Sequence, residues 1–361
     1  MSRPLFGLER VWLVADRTGP PFVNQLVVEG DARPDPEAWR RALAAVDAVW
    51  PRPRLHGSLG WTHWRDDGPA STLRVVDTPI DGREPTPPDP VRLHPRAGPL
   101  VEVVLHPTAV RVRTHHAAVD GQAAWALASD LGAALRGEPL RGGTLTAAEP
   151  PGGASRPEPP ADSALPFPPG PGTAWIRRTL PTRPAVLAHA MRTWVTTFGA
   201  CRVSVPVDLR RRAGLGDGAV ANLTGLMYVD LAEHDTSEMI RAALTSNLPG
   251  AIDALRTGDR LRNKPLWLMA AGGRSAATRA RTAGRGPSSL TVSNLGRQDA
   301  SVFDHAGFRG RALYWIPPMN PGTPLFVTLT GHAGGVELCA GACDVDAAAL
   351  VERFTRFVAA W

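Results

Sequence analysis

Lysine is almost missing from this 361-residue chain: Lys264 is the only one, and arginine supplies the rest of the 40 basic residues. Set against 34 acidic residues, they give a net charge of +6 and a sequence pI of 10.1, a balance that invites a nucleic-acid reading. The arginines are scattered along the chain and form no basic arm or stripe, so no nucleic-acid partner is expected. Their densest cluster, Arg210-Arg211-Arg212, reads by itself as a solvated loop. Cysteine is also scarce. The three present, Cys201, Cys339 and Cys343, are odd in number and too few for a disulfide framework, as expected of reduced thiols. No apolar run nears the ~20 residues that span a bilayer, and Met1–Gly7 lacks the apolar core of a signal peptide. A cytoplasmic protein without a membrane span is therefore expected.

What is present describes a folded chain. Hydrophobic residues make up 43% and charged residues 20%, and the length suits two domains with a core each. The stretch that concentrates chemistry is Arg113-Thr114-His115-His116-Ala117-Ala118-Val119-Asp120-Gly121. Before it, Leu100–Leu105 and Val110–Arg113 read as two strands joined by a turn at 106–109. After it, Gln122–Leu131 is rich in helix formers, with Trp125, Ala128 and Leu131 on one face. The histidines thus sit where a strand runs out into a loop before a helix.

Adjacent residues at a strand end point to opposite faces, so His115 and His116 are expected to do different work. A neutral imidazole, with an unperturbed pKa of about 6.5, can take a proton from a hydroxyl or amine near neutral pH. Asp120 can orient it or be held in an ion pair, and Gly121 leaves room that a side chain would obstruct. Metal ligation remains open for this trio, although no further His/Cys/Asp cluster with ligand spacing accompanies it and no metal is expected. So does a plain role as core or turn histidines. Cys339 and Cys343 with His332 offer a second, weaker metal reading.

The motif resembles the His-His-x-x-x-Asp-Gly signature of the chloramphenicol-acetyltransferase-like superfamily, which includes condensation domains and alcohol acyltransferases. His115, His116, Asp120 and Gly121 match each fixed position. The resemblance implies an α/β fold of two lobes, mixed sheets flanked by helices, with an active-site channel between them. It implies that His116 is the catalytic base and that Asp120 is largely structural. It also implies an acyl donor held as a thioester, on coenzyme A or on the phosphopantetheine of a carrier protein, and a small-molecule alcohol or amine as acceptor. No permanently bound cofactor is implied. A basic surface is compatible with coenzyme A phosphates or an acidic carrier protein as partner.

The rest of the chain is read in the same frame. Helices are expected from Gly7, over 37–49 after Asp35-Pro36, over 187–198, over 237–247, over much of 251–283 and over 346–359. Strands are expected at 24–28, 59–64, 73–76, 175–180, 201–210, 221–229, 288–297, 325–330 and 336–340. A Pro/Gly-rich stretch over 141–173 is expected to link an N-terminal lobe, 1–140, to a C-terminal lobe, 174–361. The Val-Asp-Leu-Arg strand end resembles a position at which relatives place an arginine against the signature aspartate, which implies an Arg210–Asp120 ion pair. Ser293-Asn294 resembles a segment at the lobe interface and is expected either to contact substrate or oxyanion, or to cap a plain turn. The chain lacks the Asp-Phe-Gly-Trp-Gly segment of plant relatives, so a plant-type alcohol acyltransferase is disfavoured. A stand-alone, monomeric acyltransferase is the expectation, with carrier-dependent condensation or cyclisation, or a non-catalytic carrier-binding module, as the alternatives.

Overall fold

The computed structural model describes residues 1–57, 61–146, 163–248, 264–305, 307–321, 323 and 325–361. Part of the expected 141–173 linker, the start of the 59–64 strand and residues 251–263 of the expected long helix lie outside the described residues.

Two mixed sheets carry the chain. In the first, the order is Gly310–Ile316, Val23–Gly30, Ala109–His115, Val101–Leu105 and Thr72–Val75, antiparallel except for the last pair. In the second it is Pro169–Leu180, Gly335–Val345, Leu325–His332, Leu290–Arg297, Cys201–Asp208 and Thr224–Leu231. Each sheet has its own core. Trp39, Leu43, Val103 and Leu131 pack in the first lobe, and Trp194, Val203, Leu329 and Phe357 in the second.

Local chemistry sets the elements that hold the site. Helix Pro36–Val49 starts where Asp35 accepts hydrogen bonds from the amides of Glu37 and Ala38 at 3.0 and 3.2 Å, with Pro36 in the first turn. Its buried stripe is Trp39, Ala42, Leu43 and Val46. It packs on helix Gly121–Leu135, and the Trp50 indole donates to the Asp130 carboxylate at 2.8 Å to tie the two together. Strand Ala109–His115 is buried along its whole length, so both faces of the sheet are covered here.

The expected division at 141–173 needs correcting in two places. Strand Pro169–Leu180 begins inside the expected linker. Strand Gly310–Ile316, for which the sequence offered no assignment, pairs with Val23–Gly30, so the first lobe is completed from the second half of the chain. The Thr328 hydroxyl, on the second sheet, donates to the Trp315 carbonyl at 2.5 Å. Arg177 of the second sheet pairs with Glu337 at 3.1 Å and with Glu29 of the first. Helix Leu266–Ala283 lies against helix Gly7–Thr18. The lobes are therefore interlocked by strand exchange, buried charge and helix packing, and the site sits in a fixed cleft.

Candidate active site between the lobes

His115 ends its strand fully buried and does not line the cavity that His116 lines. Its Nδ1 accepts from the Ala117 amide at 3.2 Å, and its Nε2 lies 3.8 Å from the Asp16 carboxylate. Asp16 also accepts from the Phe22 amide at 2.9 Å. The first histidine thus fixes the segment that delivers Phe22. His116 is half-buried in the wall of a cavity of about 130 Å³. Phe22 stacks on its ring at 5.1 Å, and Trp12 lies at 5.6 Å.

Burial pushes the His116 imidazole down to about 4, with His115 adding to the effect and Asp120 opposing it. The ring is therefore neutral at neutral pH. One side is held by the Asn222 carboxamide, whose Nδ2 donates to the His116 carbonyl at 2.7 Å and lies 3.0 Å from Nδ1.

Asp120 is fully buried and has two jobs. One oxygen caps helix Gly121–Leu135 through the Ala123 amide at 3.1 Å. The carboxylate also pairs with Arg210 at 2.7 Å and accepts from the Leu223 amide at 2.8 Å. Arg210 and these amides hold the Asp120 carboxyl below its usual range despite burial. Arg210 itself is buried, while Arg211 and Arg212 are exposed, so the solvated-loop reading applies only to the last two. The expected strand 201–210 stops at Asp208, and the strand expected from 221 begins at Thr224. Between them lie a 3-10 turn, Arg211–Ala213, and a short strand, Ala219–Val220, paired with Thr144–Leu145, after which buried carboxylates hold the amides of Asn222 and Leu223.

Gly121 has no left-handed backbone; a Cβ there would come within 3.3 Å of Leu295 Cδ2 from the opposite lobe, a tight contact that glycine avoids. Ser293, Asn294, Thr224, Asp208 and Gln122 line the same cavity as His116. The Asn294 side-chain oxygen accepts from the Gly296 amide at 3.1 Å, which is a turn cap.

Asn222 and Glu9 had no role assigned from sequence. The Ala-Asn strand after Val-Asp-Leu-Arg resembles the second lobe of relatives but gives Asn222 no part in the site, and Glu9 reads as a residue of the first helix. Among the described residues no group of His, Cys, Asp and Glu is arranged to hold a metal, and no helix is long and apolar enough to cross a membrane. Burial pushes the thiols of Cys201 and Cys343 up to about 12 and that of Cys339 well above its ordinary value. Iodoacetamide at neutral pH is thus expected to leave the native protein's mass unchanged, read by intact-mass spectrometry, and rapid modification of any thiol would contradict this.

No family model and no curated sequence matches the chain. Solved structures do. The starter condensation domain of rhizomide synthetase RzmA, in complex with C8-CoA, is 14% identical, with 99% of this chain and 94% of that chain covered at a TM-score of 0.63. F. graminearum TRI101, complexed with ethyl coenzyme A, is 13% identical over 98% of this chain and 97% of that chain, at 0.59. The first condensation domain of the calcium-dependent antibiotic synthetase, with a substrate analogue, is 15% identical over 100% and 95%, at 0.60.

Proposed function

We propose that this chain, which has the two-lobed chloramphenicol-acetyltransferase-like fold of condensation domains, is an acyltransferase that moves an acyl group from a thioester to an alcohol or amine. The observation that carries the reading is a neutral imidazole, His116, presented to a cavity between two lobes and backed by a buried Asp120–Arg210 pair. Solved structures of the same fold that hold C8-CoA or ethyl coenzyme A support a coenzyme A thioester as donor.

In the proposed reaction the acceptor O–H or N–H approaches His116 from the cavity. As the acceptor atom bonds to the thioester carbonyl carbon, its proton passes to the imidazole. The tetrahedral oxyanion takes hydrogen bonds, for which Ser293 is the candidate donor in the cavity wall, with Asn294 beside it. Collapse breaks the C–S bond, and His116 returns its proton to the departing thiolate. A ring that resists protonation is a weak base but, once protonated, a strong acid, which suits the second half of the step. No cysteine is needed as nucleophile, and none of the three lines the His116 cavity.

The test is product analysis of wild type incubated with acetyl- and octanoyl-coenzyme A, the same acyl groups on a carrier protein, and pooled alcohols and amines. Ester or amide from coenzyme A thioesters supports the proposal. Product from the carrier-bound donor alone moves the chain to carrier-dependent condensation. Carrier binding without product favours a binding module. The pH profile is a separate check. With a base titrating at about 4, kcat/KM should stay level from neutral pH down past pH ~6.5, where an unperturbed histidine would already cut it. An acid limb near that ordinary value would count against His116 as the buried base.

A further inference from the structure

Two carboxylates of the first lobe grip consecutive amides of the second. Asp120 accepts from the Leu223 amide at 2.8 Å, and Glu9 accepts from the Asn222 amide at 3.2 Å. Glu9 is fully buried and also takes both Arg3 Nη groups at 2.8 and 2.6 Å, the Phe6 amide at 2.9 Å and the Trp64 indole at 3.1 Å. A carboxylate with so many donors is a rigid anchor. What the two anchors fix is the side chain between them, the Asn222 carboxamide that meets His116.

The orientation of that carboxamide is decided twice. Its nitrogen lies against the His116 carbonyl, which can only accept, and its oxygen accepts from the Thr224 amide at 3.4 Å, which can only donate. The same nitrogen lies 3.0 Å from the ring's Nδ1. For the ring to act as a base, its proton sits on Nδ1, turned to the residue's own carbonyl, and the Nε2 lone pair is left free. An amide N–H beside the ring opposes a cationic imidazole. The carbonyl that a charged ring would bond is already shared with Asn222.

We infer that Asn222 is a positioning residue for His116, which holds the carbonyl that takes the Nδ1 proton, so that Nε2 stays free to accept, and disfavours the charged imidazole. Its placement depends on Glu9, so the base is assembled only where the two lobes meet. The charged or titratable groups around His116 are His115 with Asp16, Asp120 with Arg210, Asp208 in the cavity wall and Glu9 behind Asn222. Of these, Asn222 offers the contact whose sign one substitution reverses. The catalytic meaning of the inference rests on the proposed acyl transfer, but the titration of His116 does not.

The test follows His116 by NMR in histidine-labelled protein, with the resonance assigned by its loss in His116→Gln. Asn222→Asp puts a carboxylate oxygen where the N–H was. The titration midpoint is expected to rise by at least about one pH unit, roughly tenfold in the protonation equilibrium. Asn222→Ala, which adds no charge to a buried position, should raise it by less and serves if the aspartate variant fails to fold. The acid limb of kcat/KM should move with the midpoint. A folded Asn222→Asp or Asn222→Ala protein with an unchanged midpoint overturns the inference. A shifted midpoint in a protein that transfers no acyl group leaves the inference standing and removes the acyltransferase reading instead.

Discussion

His116→Ala is expected to lower turnover by about 10²–10⁴-fold, the range that a positioned general base supplies. The structure gives reason to expect that loss without unfolding. His116 sits in a cavity wall, half-buried, and the strand-end backbone around it is held by contacts the substitution keeps. The His116 amide donates to the Phe22 carbonyl at 3.2 Å, and its carbonyl accepts from Asn222 at 2.7 Å. What disappears is the ring stacked on Phe22, and a substitution at such a site typically costs on the order of 1 kcal/mol. Release of coenzyme A thiol, read beside a thermal melt, separates the two effects. A variant that melts like wild type and retains more than a tenth of its turnover would remove His116 from the chemistry. The neighbouring His115→Ala should behave oppositely. It empties a fully buried position and leaves Asp16 without its imidazole, so stability should fall first and activity only as a consequence.

The motif was legible because its chemistry is local. Two histidines, an aspartate and a glycine within seven positions require only that a strand end there, and Val110–Arg113 announces the strand by its alternation. The two histidines part at the strand end, His115 as its last residue and His116 as the first of the turn. The capped helices were legible for the same reason, as with Asp35-Pro36 ahead of Pro36–Val49. What sequence does not carry is contact between distant positions. Strand Gly310–Ile316 has the apolar end Leu313–Ile316 but no turn signal that says its partner lies some 290 residues earlier. Glu9 lies on a short amphipathic helix and has the spacing of an ordinary first-turn acid. Only its distance to Asn222, across the two lobes, gives it a part in the site. Gly121 was legible as a residue that leaves room, but not for whom: the neighbour is Leu295, far along the chain.

Breaking the Asp120–Arg210 pair from one side is expected to cost about 3–5 kcal/mol, as for other buried pairs that lose one partner. The two sides are not equivalent. If Asp120 is removed, Arg210 keeps Asp208 at 3.0 Å and the carbonyls of Ala219 and Ala221 at 3.1 and 3.2 Å. If Arg210 is removed, Asp120 keeps only neutral donors, the amides of Ala123 and Leu223 and the Thr224 hydroxyl, with no countercharge. Arg210→Ala should therefore be the more damaging change at neutral pH. The pH dependence should also reverse. In the wild type the Asp120 pKa is depressed, so its stabilising contribution is present above the unfolded carboxyl pKa and is lost as pH falls through the folded value. In Arg210→Ala, burial without the guanidinium pushes the same carboxyl up, and protonation then relieves the buried charge. Lowering the pH from neutral to about 5 should thus narrow the gap between Arg210→Ala and wild type in urea unfolding, whereas the gap for Asp120→Ala should not narrow. A constant gap for Arg210→Ala would mean that the neutral donors alone suffice for the Asp120 charge, and that the arginine serves to hold the 219–223 turn.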